Sequence, residues 1–193
     1  MTQVNRFHQG ILVFSTLLGS WIGMQALHES GHMFGAWLTG GRVTKVVLNP
    51  LTFSRTDLNE NPRPLVVAWA GPVVGVLAPL LIWRIAASTR LPGAFVLRFF
   101  AGFCLLANGL YLGIGTYNGV GDCNELLRYG SASWQLWLFG LATVPAGIWL
   151  WHRQGPNFGF GAAAKGIVRH DVTYLTATAC VVLVVLGFVV GGN

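Results

Sequence analysis

The run from Ala26 to Met33 reads ALHESGHM, and three of its side chains can do chemistry together. On a helix, positions i and i+4 lie one turn apart on the same face, so His28 and His32 can grip one ion. Glu29 follows His28 directly and can reach a water beside that ion. This is the His-Glu-x-x-His arrangement, two zinc-binding imidazoles and a general base. Zinc lowers the pKa of a coordinated water to about 7, which makes a nucleophile available at neutral pH. Glu29 would take the proton and later hand it to a leaving amine. Gly31, lying between the histidines, leaves room for another helix to pack closely beside the site.

These residues sit in ILVFSTLLGSWIGMQALHESGHMFGAWLTG, which otherwise reads as lipid-facing helix. An ionisable side chain in a bilayer costs a few kcal/mol on insertion scales and usually serves a function. Three within five residues, in the order of a zinc site, argue against stray polar groups satisfied by neighbouring helices. The composition agrees: of 193 residues 53% are hydrophobic and 9% charged, against about a quarter charged in a soluble domain.

Apolar stretches long enough to cross a bilayer recur at residues 11–38, 64–87, 93–117, 132–152 and 172–190. The fold class expected is therefore all-α, a polytopic transmembrane bundle of about five helices in a single domain over residues 1–193. Within it, residues 11–130 would form the core that holds the metal site, and residues 131–193 two additional membrane helices. The first helix would measure about 42 Å against a hydrocarbon core of about 30 Å, so it must tilt or overshoot. Its apolar run, preceded by Arg6, exceeds the 7–15 residues of a signal-peptide core, and it reads as a retained first helix.

The formal charge of +6 does not point to nucleic acid, because the basic residues are scattered singly through the loops. The three cysteines lie far apart and offer neither a disulfide framework nor a Cys-x-x-Cys pair. Cys104 and Cys180 read as small packing residues.

A catalytic zinc needs a third protein ligand and an open fourth position. Helices alternate direction, so the first and third end on the same side of the membrane. His32 lies about 9 Å below that end, and the third helix arrives there in LLANGLYLGIGTYNGVGDCNELLRYG. Asp122 thus comes to the right side and depth, with Glu125 next in line. His8, His152, His170 and Asp171 belong to the opposite face, while Asp57 and Glu60 lie in a polar loop. The second helix starts on the site's side and carries Ala70-Gly71-Pro72 at matching depth, small residues that permit close contact.

Two connections carry information. GGRVTKVVLNPLTFSRTDLNENPRP opens with a helix stop, Gly40-Gly41, and then turns rich in Val, Thr and Leu. It predicts a short strand or hairpin against the membrane. RQGPNFGFGAAAKGIVRH lacks the Gly-Lys-Ser/Thr order of a phosphate loop and reads as a mobile connection.

With HESGH, GGRVTKVVLNP, AGPVVG and GDCNELL on the page, the chain resembles the site-2 protease family of intramembrane zinc metalloproteases, and most closely its compact bacterial branch without a PDZ domain. The resemblance covers roughly residues 11–130. It implies His28, His32 and Asp122 as ligands of one zinc ion, Glu29 as catalytic base, and an integral protein of the bacterial cytoplasmic membrane. It also implies that the strand at residues 43–48 holds an extended substrate along an unpaired edge, with Val43, Val46, Val47 and Asn118 in contact. The partners implied are the lipid bilayer and a membrane protein whose transmembrane segment is cut. This chain departs from the family in having Cys123 where a glycine usually follows the aspartate, which places a thiol beside the metal.

Two other functions compete. A non-proteolytic scaffold or chaperone could bind metal or a client, but it has no need of Glu29. A metal or solute transporter should spread ionisable residues along a path, often in repeated halves, whereas here they gather at one depth. The site's side carries Arg42, Lys45, Arg55, Arg63 and Arg128, against Arg6, Arg84, Arg90, Arg98, Arg153, Lys165 and Arg169 on the other. That difference is too small for the positive-inside rule to set the orientation.

Overall fold

The computed structural model describes residues 3–49, 51–119 and 121–191. In chain order the elements are α1 (Gln3–Thr39), β1 (Arg42–Val47), β2 (Arg55–Glu60), α2 (Pro64–Ser88), α3 (Ala94–Asn118), α4 (Asp122–Arg128), α5 (Ser133–Trp151) and α6 (His170–Gly191), with a 3-10 turn at Gly155–Phe158. Among the described residues four helices, α1, α2, α3 and α6, are long and apolar enough to cross a membrane. Their outward faces present side chains such as Leu81, Leu175 and Val189, as suits a lipid rather than an aqueous surround. The chain is an integral membrane protein.

The helix expected at residues 132–152 is present as α5 but falls outside that set of four. Trp134, Gln135, Trp137, Trp149 and Trp151 dilute its apolar character. Its depth follows from its neighbour instead. α5 runs antiparallel to α3, from Trp137 Nε1 donating to Thr116 Oγ1 at one end to Trp151 Nε1 donating to the Phe99 carbonyl at the other. It therefore covers the same depth as α3, and its tryptophans collect at its two ends, where an interfacial aromatic belt belongs.

α1 ends as its sequence directs, with Gly40 at φ 75° and the Gly41 N–H donating to the Ala36 carbonyl at 2.7 Å. The chain then forms an antiparallel hairpin in which Val46 faces Thr56 and Val47 faces Arg55. The hairpin tip runs back along α1. The Phe53 ring meets Trp21, and the Ser54 N–H donates to Gln25 Oε1 at 2.8 Å. Trp21 precedes Glu29 by about 12 Å of helix, so the tip dips well below the hairpin's base. Leu51 and Phe53, 82% and 84% exposed, point outward there.

α6 lies parallel to α1, joined at the end away from the hairpin by His8 Nε2 and the Tyr174 hydroxyl at 2.9 Å. The glycine-rich connection, expected to be mobile, is anchored instead. Phe158 is buried with Leu12, Val168 and Val172, and its carbonyl accepts from Gln9 Nε2. A second cluster of Ala68, Leu112, Cys123, Leu126 and Leu136 joins α2, α3, α4 and α5.

The tightest seam is α1 against α2. A Cβ at Gly31 would meet the Ala70 carbonyl and lie 2.8 Å from the Gly71 Cα. Gly31→Ala is therefore expected to destabilise by about 1–3 kcal/mol, as overpacking does, and thermal unfolding in detergent measures it. Gly10→Ala, with nothing within 4 Å of the added Cβ, should hold or raise the midpoint.

Candidate metal centre

Three side chains converge on one point. His28 and His32 come from one face of α1, and Asp122 is the first residue of α4. α3 stops at Gly119, which takes the left-handed conformation at φ 58°, and Gly121 at φ 60° redirects the chain. The Asp122 N–H then donates to the Tyr111 hydroxyl at 2.9 Å, which pins the start of α4 back against α3.

His28 Nε2 lies 2.7 Å from Asp122 Oδ2 and 3.0 Å from His32 Nε2, and His32 Nε2 lies 3.4 Å from Asp122 Oδ1. A tetrahedral zinc with arms of about 2.0–2.1 Å puts its ligand atoms about 3.3 Å apart. One of the three separations matches that edge and the other two are shorter.

The far side of each ring settles its chemistry. His28 Nδ1 is 2.7 Å from Asn108 Oδ1, and His32 Nδ1 is 2.8 Å from the Val67 carbonyl. Asn108 Nδ2 donates to the Cys104 carbonyl, so the amide oxygen is the atom facing His28. Both partners can only accept, so each Nδ1 must carry its hydrogen, which leaves both Nε2 atoms as lone pairs in the neutral rings. Two lone pairs and a carboxylate then face one another in a buried space, and only a cation reconciles them. Burial would raise the Asp122 pKa, but the adjacent imidazoles outweigh it and hold the carboxyl below the usual carboxylate range. The donor set of two imidazoles and one carboxylate, each imidazole fixed from behind, suits zinc.

Glu29 stands apart from this group. It is 3% exposed, and its two oxygens accept from Ser54 Oγ and Thr56 Oγ1, each at 2.6 Å. Trp21, Gln25 and Glu29 thus line one face of α1 and meet Phe53, Ser54 and Thr56 in turn.

The other residues singled out from the sequence fall elsewhere. Glu125 is not among the grouped donors of the described residues. Cys123 turns away, its thiol donating to the Tyr111 carbonyl at 3.3 Å, and burial pushes it up to about 11, with the Asp122 charge adding to the effect. Its sulfur is not among the grouped donors of the described residues. Val43, Val46 and Val47 lie on β1, half-buried. Asn118 ends α3, and its side chain lies outside the described residues. His8 and His170 stack 4.0 Å apart at the opposite end of the bundle.

Asn108, Ser54, Thr56, Gln25 and Tyr111 had no place in the sequence reading. Asn108 left a signal, a lone amide in the middle of a lipid-spanning helix. Trp21, Gln25 and Glu29 left another, their spacing of four.

A polytopic membrane protein with a buried His-Glu-x-x-His metal group on its first helix belongs to a recognisable class. The family model described as Peptidase M50B-like matches residues 15–112, about half the chain. The chain belongs to this family, within the site-2 proteases, which are generally zinc-dependent. No curated protein and no solved structure matches it. The matched region includes both histidines, Glu29 and Asn108 but stops before Asp122, which the geometry places beside the histidines.

His28→Ala, His32→Ala and Asp122→Ala should each lower the zinc content of purified protein, with Glu125→Ala unchanged. Asn108→Ala should weaken zinc binding by about 10–100-fold, the usual effect of losing a group behind a ligand. Competition with a chelator of known affinity checks both.

Proposed function

We propose that the protein is an intramembrane zinc metalloprotease that hydrolyses peptide bonds in or near transmembrane segments of other membrane proteins. The observation that carries this reading is Glu29, a buried carboxylate next to the metal group yet outside it. A scaffold has no use for so costly a side chain at membrane depth.

One zinc ion per chain, held by His28, His32 and Asp122, would supply Lewis acidity and a water with pKa near 7. The chain's own residues do the rest. Asn108 and the Val67 carbonyl orient the rings so that both Nε2 atoms face inward. Glu29 accepts a proton from the attacking water and returns it to the leaving amine. In the substrate-free arrangement the hydroxyls of Ser54 and Thr56 take two of its roughly four lone-pair positions.

An extended peptide is the form in which amides can be attacked, because a helix shields them. The sheet has two strands, so β1 keeps one edge not paired with β2, and a substrate segment can add there beside Val43, Val46 and Val47.

Glu29→Gln keeps shape and hydrogen bonding but cannot take the proton. It should fold, hold zinc and bind substrate, yet lose about 100-fold or more in turnover. Equal processing of a co-expressed single-span membrane protein by wild type and variant would reject Glu29 as the base. Successive strand amides point to opposite sides, so one of Val46→Pro and Val47→Pro should remove an outward donor and reduce cleavage with zinc retained. Full activity in both would remove strand addition.

A further inference from the structure

We propose that residues 51–56, at the far end of the hairpin and the start of β2, form a gate over Glu29, latched by the Ser54 and Thr56 hydroxyls, and that a substrate segment reaches the site only by displacing them. The proposal rests on the protease reading above and adds how that site is opened.

His28, Glu29 and His32 are 8%, 3% and 7% exposed, so no peptide fits beside them in this arrangement. A wall must move, and the walls are not equal. α2 is locked to α1: a Cβ at Gly31 or Gly71 would strike the Ala70 carbonyl or the His32 ring, and one at Gly35 would lie 2.7 Å from the Ala70 Cβ. Sliding α2 would also break the Val67 bond that orients His32. α3 is tied through Asn108 to His28, and through Tyr111 to Asp122. Moving it would dismantle the metal donors.

The hairpin tip touches none of the three donors. It is held to α1 by two hydroxyls on Glu29, one amide on Gln25 and the edge contact of Phe53 with Trp21. Its apolar side chains already face outward, with Leu51 and Phe53 more than four-fifths exposed. Lifting the tip therefore uncovers little apolar surface, and it releases Glu29 and Gln25 together. An incoming extended segment, or the water it brings, can replace what Ser54 and Thr56 supplied to the carboxylate.

A gate of this kind has a kinetic signature. When only the open fraction binds, the apparent affinity is reduced by that fraction. Weakening the latch then lowers KM for substrate and leaves kcat alone, because the bound complex is already open. If the two hydroxyls instead positioned Glu29 for proton transfer, their loss would lower kcat.

The test is the Ser54→Ala/Thr56→Val double variant, with Thr56→Val alone as a second variant that keeps a β-branched residue opposite Val46. Amide exchange in detergent micelles should show residues 53–56 of the wild type opening about a hundredfold faster than residues 25–32 of α1. The double variant should open about tenfold faster still, with zinc content unchanged. KM for a transmembrane peptide should fall by a similar factor at constant kcat. Helix-like protection of residues 53–56 overturns the gate, and so does a drop in kcat at constant KM in both variants. A wild type that cleaves no transmembrane peptide removes the protease reading, and the exchange rates still decide the gate.

Discussion

Two imidazoles and a carboxylate pressed together at membrane depth make the constraint on which the rest of this protein depends. Each ionisable group there costs a few kcal/mol unless it is paired, and here both imidazoles are already committed from behind as donors. Their remaining nitrogens and the Asp122 oxygens are all acceptors, within 4.8 Å of one another. The polar group is tolerable only with positive charge at its centre. The three groups could together hold a metal ion.

The surrounding architecture follows from holding those acceptors in place. The α1–α2 seam is narrow enough that glycine is needed at 31 and 71, which puts the Val67 carbonyl within reach of His32. α3 approaches α1 with Asn108 and then breaks, through Gly119 and Gly121, so that Asp122 can return toward the histidines. α5 backs α3 along its length. The hairpin closes a further side with hydroxyls that bond Glu29 and none of the three grouped donors.

Much of this was legible in the sequence, because helix geometry and bilayer energetics are strong rules. His28 and His32 announced a shared face by their spacing, and the alternation of helices was enough to bring Asp122 to them. Gly40-Gly41 and the valine-rich run behind it announced the hairpin. What stayed hidden rests on contacts between distant parts of the chain. Ser54 and Thr56 carry no local signal that they reach back to Glu29. Asn108 looked like a polar exception in an apolar helix until His28 was placed beside it. α5 has too many tryptophans to score as a span, and only its pairing with α3 sets its depth. Phe158 sat in a glycine-rich run whose composition suggested mobility, while its partners Leu12 and Val172 lie far off in sequence.

The most direct measurement of the central claim is X-ray absorption at the zinc edge of the purified, zinc-loaded protein. The account predicts a first shell of nitrogen and oxygen at about 2.0–2.2 Å, with outer-shell scattering from two imidazoles and no sulfur at about 2.3 Å. The imidazole contribution should halve in His32→Ala. A sulfur shell, which would bring Cys123 to the metal, or a spectrum without imidazole scattering would contradict it.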